Sequence, residues 1–157
     1  MDNRSLILSE IMAPDTANFS GNVHGGHVLK LLDQAAYACA VNYCGHNVVT
    51  LSVDHVLFKQ PIYVGECVSL FANVNYVGNT SMEVGIKVVA KNLMTRVERH
   101  AITCYFMMVA VDKDMKPTRI EPLKIHNDLD QRRFDEAQVR REINREYQAK
   151  QRSCGTK

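Results

Sequence analysis

No apolar run in the 157 residues approaches the roughly 18 residues that a membrane-spanning helix needs. The start, MDNRSLILSE, carries an acid and an arginine but no long apolar core, so a secretory signal peptide is not expected. Charge of one sign is scarce as well. Nineteen Lys and Arg against 17 Asp and Glu leave a net +2, too little to suggest nucleic acid or a membrane surface as partner. The five cysteines, Cys39, Cys44, Cys67, Cys104 and Cys154, are odd in number and form no C-x-x-C pair, so zinc spacing is absent. They are expected to be small, mostly buried and reduced, in a cytoplasmic protein. Internal repeats, low-complexity tracts and a G-x-S-x-G nucleophile elbow are also missing.

What is present fits one domain with a tail. The apolar share of 46% is ordinary for a globular protein long enough to bury a core. SLILSEIM (5–12) reads as a strand, and Pro14 opens a loop. From His27 to Cys44 there is no proline or glycine. Val28, Leu31, Leu32, Ala35 and Cys39 recur at helical spacing, and Gly45 marks the stop. Four strand-like runs follow, at 47–58, 66–77, 80–91 and 99–111, with a turn at Gly78-Asn79. In the first, Val49, Leu51, Val53, His55 and Leu57 share a face; in the second, Val68, Leu70, Ala72, Val74 and Tyr76 do. Long antiparallel strands and one central helix predict an α+β fold, a curved sheet wrapped around that helix. The bare edge is expected at 47–58, which holds no proline and one charged residue, Asp54, ahead of Lys59.

The domain is taken as 1–115, with a tail at 116–157 that contains a charged helix from about 129 to 152. Phe134, Val139, Ile143 and Tyr147 form a narrow stripe on it, for packing on the domain or on another subunit. Its arginines read as a solvated face.

The chemistry concentrates in TANFSGNVHGGHVLKLLD (16–33). A helix starting near Gly26-His27 is preceded by glycine instead of an ordinary cap, so its first N–H groups are expected to be free. Such groups suit an anion or a carbonyl becoming one; a tight turn is the other reading. Asp33 lies in line with Leu29, Ala36 and Ala40, a partly buried position where an acid can serve as a base, or where it simply favours the helix dipole. Asn18 and Asn22 are turn formers that could also orient a water. His24 and His27 flank the glycines, while His55 and His100 fall on strands; a catalytic Cys–His or Ser–His pair is a matter of space, not spacing.

PDTANFSGNVHGGHVLKLLDQAA, followed by VTLSVDHVLFKQPIYVGECV, YVGNTSMEVGIKV and CYFMMVAV, resembles the acyl-CoA thioesterases of the hot-dog fold over residues 5 to 112. The likeness is to the acyl-CoA hydrolase branch that includes single-domain bacterial enzymes. It implies a long sheet curled around a helix, edge-to-edge dimers often assembled as trimers, and hydrolysis of fatty acyl-CoA to fatty acid and CoA. It implies no metal and no cofactor, since CoA belongs to substrate and product. The family's catalytic aspartate falls on Asp33, and its catalytic asparagine, supplied by the partner subunit, falls on Asn18. Gly25 and Gly26 match the turn that polarises the carbonyl. Asn22, His24, His27, Lys59, Thr80 and Ser81 are the further substrate-binding candidates, Lys59 for a phosphate and Thr80 and Ser81 for the CoA arm. Two other classes stay open: a hot-dog dehydratase using His24, and a non-catalytic acyl-CoA sensor.

Overall fold

A computed structural model describes residues 3–155 of the chain. The elements run β1 (Ser5–Ile11), a 3-10 turn (Pro14–Thr16), α1 (Gly25–Cys44), β2 (Asn47–Asp54), β3 (Cys67–Val77), β4 (Ser81–Lys91), β5 (Glu98–Val111) and α2 (Asp128–Cys154). All five strands form one antiparallel sheet in the order β1-β3-β4-β5-β2. The sheet curls around α1, which packs on every strand. Its buried stripe of Val28, Leu31, Leu32, Ala35, Ala36, Cys39 and Ala40 is the one the 3.6-residue period marks out. At 1.5 Å per residue the helix is about 30 Å long. Gly45 closes it with φ 68°, a left-handed conformation that glycine takes without penalty, and donates its N–H to Val41 at 2.8 Å. No helix among the described residues is long and apolar enough to cross a membrane.

Four expectations need correction. The helix starts at Gly25, two residues before His27. The edge strand β2 stops at Asp54 instead of 58, because His55 takes φ 41° and leaves the ladder. In β2 the helix-facing residues are Val48 and Thr50, not Val49 and Leu51: Val48 and Thr50 pair with the buried Ala110 and Met108, and a bulge at Leu51 then sets Val53 beside the buried Phe106. In β3 a second irregularity at Asn75 turns Val77 into the core and Tyr76 out of it.

The outer face of the sheet carries α2, and here the reading of charge is reversed. Val139, Ile143 and Tyr147 of the expected stripe point to solvent. The packed face is the polar one. Arg4 donates to Asp130 at 2.6 Å, both buried. Arg140 forks onto the buried Glu83 at 2.7 and 3.1 Å and lies over the Tyr105 ring at 3.6 Å. Arg141 donates to the Tyr76 hydroxyl, Phe134 stacks on the same ring, and Asn144 donates to Asp54 at 2.6 Å. Arg132, Arg145 and Arg152 are exposed and fit a solvated face.

Glu83 has its charge satisfied by Arg140 and by Asn75 at 3.2 Å. Removing one partner of such a pair strands a charge away from water. Arg140→Ala is expected to destabilise the protein by about 3 kcal/mol, the low end for a buried pair because Arg140 keeps some solvent contact. Glu83→Gln in the same background is expected to recover part of the loss. Urea unfolding of the single and double variants measures both.

Candidate active site

Two clusters hold the sequence's candidate residues, at separate points along α1. The first surrounds its start. The strap 16–24 is held to 62–63 by Val23 N–H on Ile62 O at 2.8 Å and by pairing of Asn22 with Tyr63. Between strap and helix lies a cavity of about 370 Å³ lined by Asn18, Asn22, Val23, Gly25, Val28, Phe58, Gln60, Pro61 and Ile62. The Oδ1 of Asn18 accepts the N–H groups of Ser20 at 2.9 Å and Asn22 at 3.2 Å. That fixes the amide orientation and leaves its NH₂ as a free donor.

The helix start departs from expectation. His24 is the cap, its Nδ1 accepting the Gly26 N–H at 3.0 Å. The His27 and Val28 N–H groups go to the His24 carbonyl. Gly26 and His27 therefore do not offer free N–H groups; among the described residues, Gly25 alone of the first four helix amides has no acceptor. A Cβ at Gly25 would touch the Phe58 ring at 3.6 Å, so the missing side chain keeps the amide approachable from the cavity. His27 is engaged elsewhere, its Nε2 3.0 Å from Glu10. The His24 cap engages Nδ1 alone.

The second cluster lies two turns on. Asp33 is exposed on the flank of α1 that faces β2, not partly buried as its spacing suggested. Thr50 donates its hydroxyl to Asp33 Oδ1 at 2.7 Å. One turn further, Tyr37 donates to Asn47 Oδ1 at 3.2 Å. Thr50 is a candidate that the sequence reading missed. Its signal was positional: it shares the helix-facing side of β2 with Val48. Gly25 and Asp33 are eight residues apart, about 12 Å along the helix. Asn18 sits with the Gly25 of its own chain, so loop and helix start belong to one half and the aspartate to the other.

The remaining candidates join neither cluster. The Lys59 side chain is exposed, its backbone N–H bound to Ala101. Thr80 and Ser81 sit at the β3–β4 turn, Ser81 two strands in from the β2 edge beside Val109. Burial pushes the Cys39 and Cys104 thiols up to about 12, so neither supplies a thiolate near neutral pH. Among the described residues, no group of three or more His, Cys, Asp or Glu side chains is gathered as for a metal ion.

Residues 20–97 match the family described as the thioesterase superfamily. The Helicobacter pylori protein VdlD is 46% identical over 142 residues, which cover 90% of this chain and 81% of that one. The Bacillus subtilis acyl-CoA thioester hydrolase YkhA is 33% identical over 156 residues, 94% of this chain and 88% of its own. An apo-hexameric acyl-CoA thioesterase superposes with a TM-score of 0.87 at 32% identity, covering 92% of both chains. An acyl-CoA hydrolase from Staphylococcus aureus, solved with butyryl-CoA and CoA, superposes at 0.84 with 27% identity, over 96% of this chain and 92% of its own. Variants of that enzyme replace an asparagine, an aspartate 15 residues later and a threonine 17 beyond that. Asn18, Asp33 and Thr50 stand at the same two intervals here.

The wall of the first cluster depends on one ion pair. Arg99 donates to both oxygens of Glu66, at 2.7 and 2.9 Å, and to Pro61 O at 2.9 Å. Burial alone would raise the Glu66 pKa. The Arg99 hydrogen bonds, the Tyr63 N–H and the Arg99 charge outweigh it and hold the carboxyl below its usual range. A carboxyl depressed on folding stabilises above its unfolded pKa and loses that stabilisation as pH falls through the folded value. Glu66→Gln is therefore expected to lower the thermal midpoint at pH 7, with a deficit that closes as pH drops below about 4, the ordinary carboxylate value. Thermal melts from pH 3 to 8 measure it.

Proposed function

The chain belongs to the thioesterase superfamily as an acyl-CoA thioesterase of the hot-dog fold, and from that premise we propose that it hydrolyses fatty acyl-CoA at a site shared between two copies. The observation that carries the reading is the separation of Gly25 and Asp33 on one helix, eight residues or about 12 Å of rise along its axis. No single thioester carbonyl reaches both. In a two-fold pair, the Asn18–Gly25 half of one chain meets the Asp33–Thr50 half of the other. The shared site proposed here therefore pairs the helix start with its own loop, instead of with its own aspartate.

The chemistry follows from the free atoms. The Gly25 N–H and the Asn18 NH₂ donate to the thioester oxygen, where negative charge grows during attack. Thr50 occupies Oδ1 of Asp33 and leaves Oδ2 for the proton of an attacking water. The water oxygen bonds to the carbonyl carbon, the proton passes to Asp33, and the C–S bond breaks with CoA thiolate leaving. Direct attack by Asp33, giving a mixed anhydride that water then opens, uses the same atoms. Thiolate is a good leaving group, so the step calls for no metal. Lys59, exposed next to Phe58, is the cation we assign to a phosphate of the CoA arm.

The edge strand supplies the pairing. β2 ends the sheet, exposes Leu51 at its bulge and has Asp54 as its one charge, already bound to Asn144. We propose that it pairs with β2 of a second copy, that the dimer is the least active unit within a hexamer, and that the enzyme works in the cytoplasm.

Asp33→Asn is expected to cut turnover by a factor of about 10² to 10⁴ with the fold intact. Thr50→Ala is expected to cost about 10-fold, one hydrogen bond to a charged group. Asn18→Ala and Asp33→Ala, each nearly inactive alone, are expected to regain activity when co-refolded, since some dimers then hold one intact site. Thiol release from acyl-CoAs and light scattering measure these outcomes. An active monomer would refute the shared site.

A further inference from the structure

The footing of α2 meets the strands in the order in which they lie in the sheet. Asp130 holds Arg4 at the start of β1, and Phe134 stacks on Tyr76 of β3. Arg140 takes Glu83 of β4 and covers Tyr105 of β5, and Asn144 reaches Asp54 of β2. The helix therefore runs across the strands. The lengths agree: Asp130 to Asn144 is 14 residues, about 21 Å of rise, and four strand spacings are about 19 Å. Since β2 is the edge, the sheet ends under Asn144. The helix does not. It continues for ten residues, Arg145 to Cys154, about 15 Å or three strand positions past the edge. Every residue of that overhang is exposed. Turns of helix with nothing beneath them gain little, because most helical stability in proteins comes from packing. The seven-residue spacing of Asp130, Ala137 and Asn144 carries on to Gln151, whose amide donates to the Tyr147 hydroxyl at 2.7 Å. That face is polar, as is the footing on the chain's own sheet.

We propose that the overhang lies on the sheet of a second copy, across the β2–β2 edge, so that each α2 straps the two halves of the dimer together. The inference rests on the edge pairing proposed above and adds the element that locks it. Edge pairing sets the partner's β2, and then its β5 and β4, where the strand positions past Asn144 fall. Two-fold symmetry doubles the contact, since the second helix crosses back in the same way. The strap lies on the outer face of the sheet, whereas Asp33 and Thr50 meet on the inner face. It therefore acts on assembly and leaves the chemistry alone.

Ala149→Pro breaks the overhang and spares the rest: proline removes an amide and clashes with the preceding turn, at an exposed position past the sheet edge. It is expected to raise the dimer dissociation constant by about tenfold or more in light scattering over a dilution series. Turnover per assembled dimer is expected to stay at the wild-type value. Amide hydrogen exchange in the unaltered chain gives a second readout, with 145–154 slow in the dimer and fast after dilution to the monomer. Equal dissociation constants for the two proteins, or fast exchange of 145–154 in the wild-type dimer, would overturn the strap while the edge pairing stands. Loss of hexamers with dimers intact would put the helix between dimers and overturn it as well. Wild-type protein that stayed monomeric at every concentration would refute the edge pairing itself.

Discussion

Two residues, Gly45 and His46, join α1 to β2, and the rest of the site depends on that short link. So tight a connection leaves helix and strand no choice but to run side by side in opposite directions. The helix is already held on its other sides by the curled sheet. Only the flank carrying Asp33 and Tyr37 is left facing the edge, and the strand brings Thr50 and Asn47 to meet it. A longer loop would let β2 slide, and a slip of one residue would turn Thr50 away from the helix.

The start and the middle of α1 differ because the backbone polar groups are distributed differently. At its start, one amide is held open by a glycine while its neighbours are satisfied by His24. Further along, every amide is bound within the helix, and a side chain must supply the function. Neutral donors therefore gather at the start of the helix and a carboxylate near its middle. That arrangement suits a reaction in which negative charge builds on an oxygen and a proton leaves a water. It also keeps the acid away from the donors of its own chain, which it would otherwise bind and block.

Periodicity made the helix, the five strands, the order of the elements and the edge role of β2 legible. It failed where one residue breaks the period. The irregularity at Asn75 moves Tyr76 to the outer face, and the one at Leu51 changes which side of β2 meets the helix. Asp33 and Gly25 stood out because an acid and glycines are unusual beside an apolar run, whereas Asn18 was singled out by the family resemblance. Thr50 did not, since threonine is common in strands and its meaning comes from a residue 17 positions earlier. The capping role of His24 was hidden because histidine is outside the usual set of caps. Of the stripe expected on α2, Phe134 packs on the sheet while Val139, Ile143 and Tyr147 face away from it. The sheet presents a buried glutamate and a tyrosine hydroxyl there, and arginine answers them better than leucine would.

The polar footing of α2 bears on how the chain folds as it leaves the ribosome. The sheet is complete at Val111, whereas Asp130, Arg140, Arg141 and Asn144, which tie down β1, β4, β3 and β2, are synthesised later. At about 5 to 20 residues per second, the strands have seconds in which to assemble with Glu83 still bathed in water. Arrival of the helix then expels that water and neutralises the charge in one motion. The patch of sheet around Glu83 is thus polar while it waits and has its charge paired once it is covered, which an apolar footing could not provide.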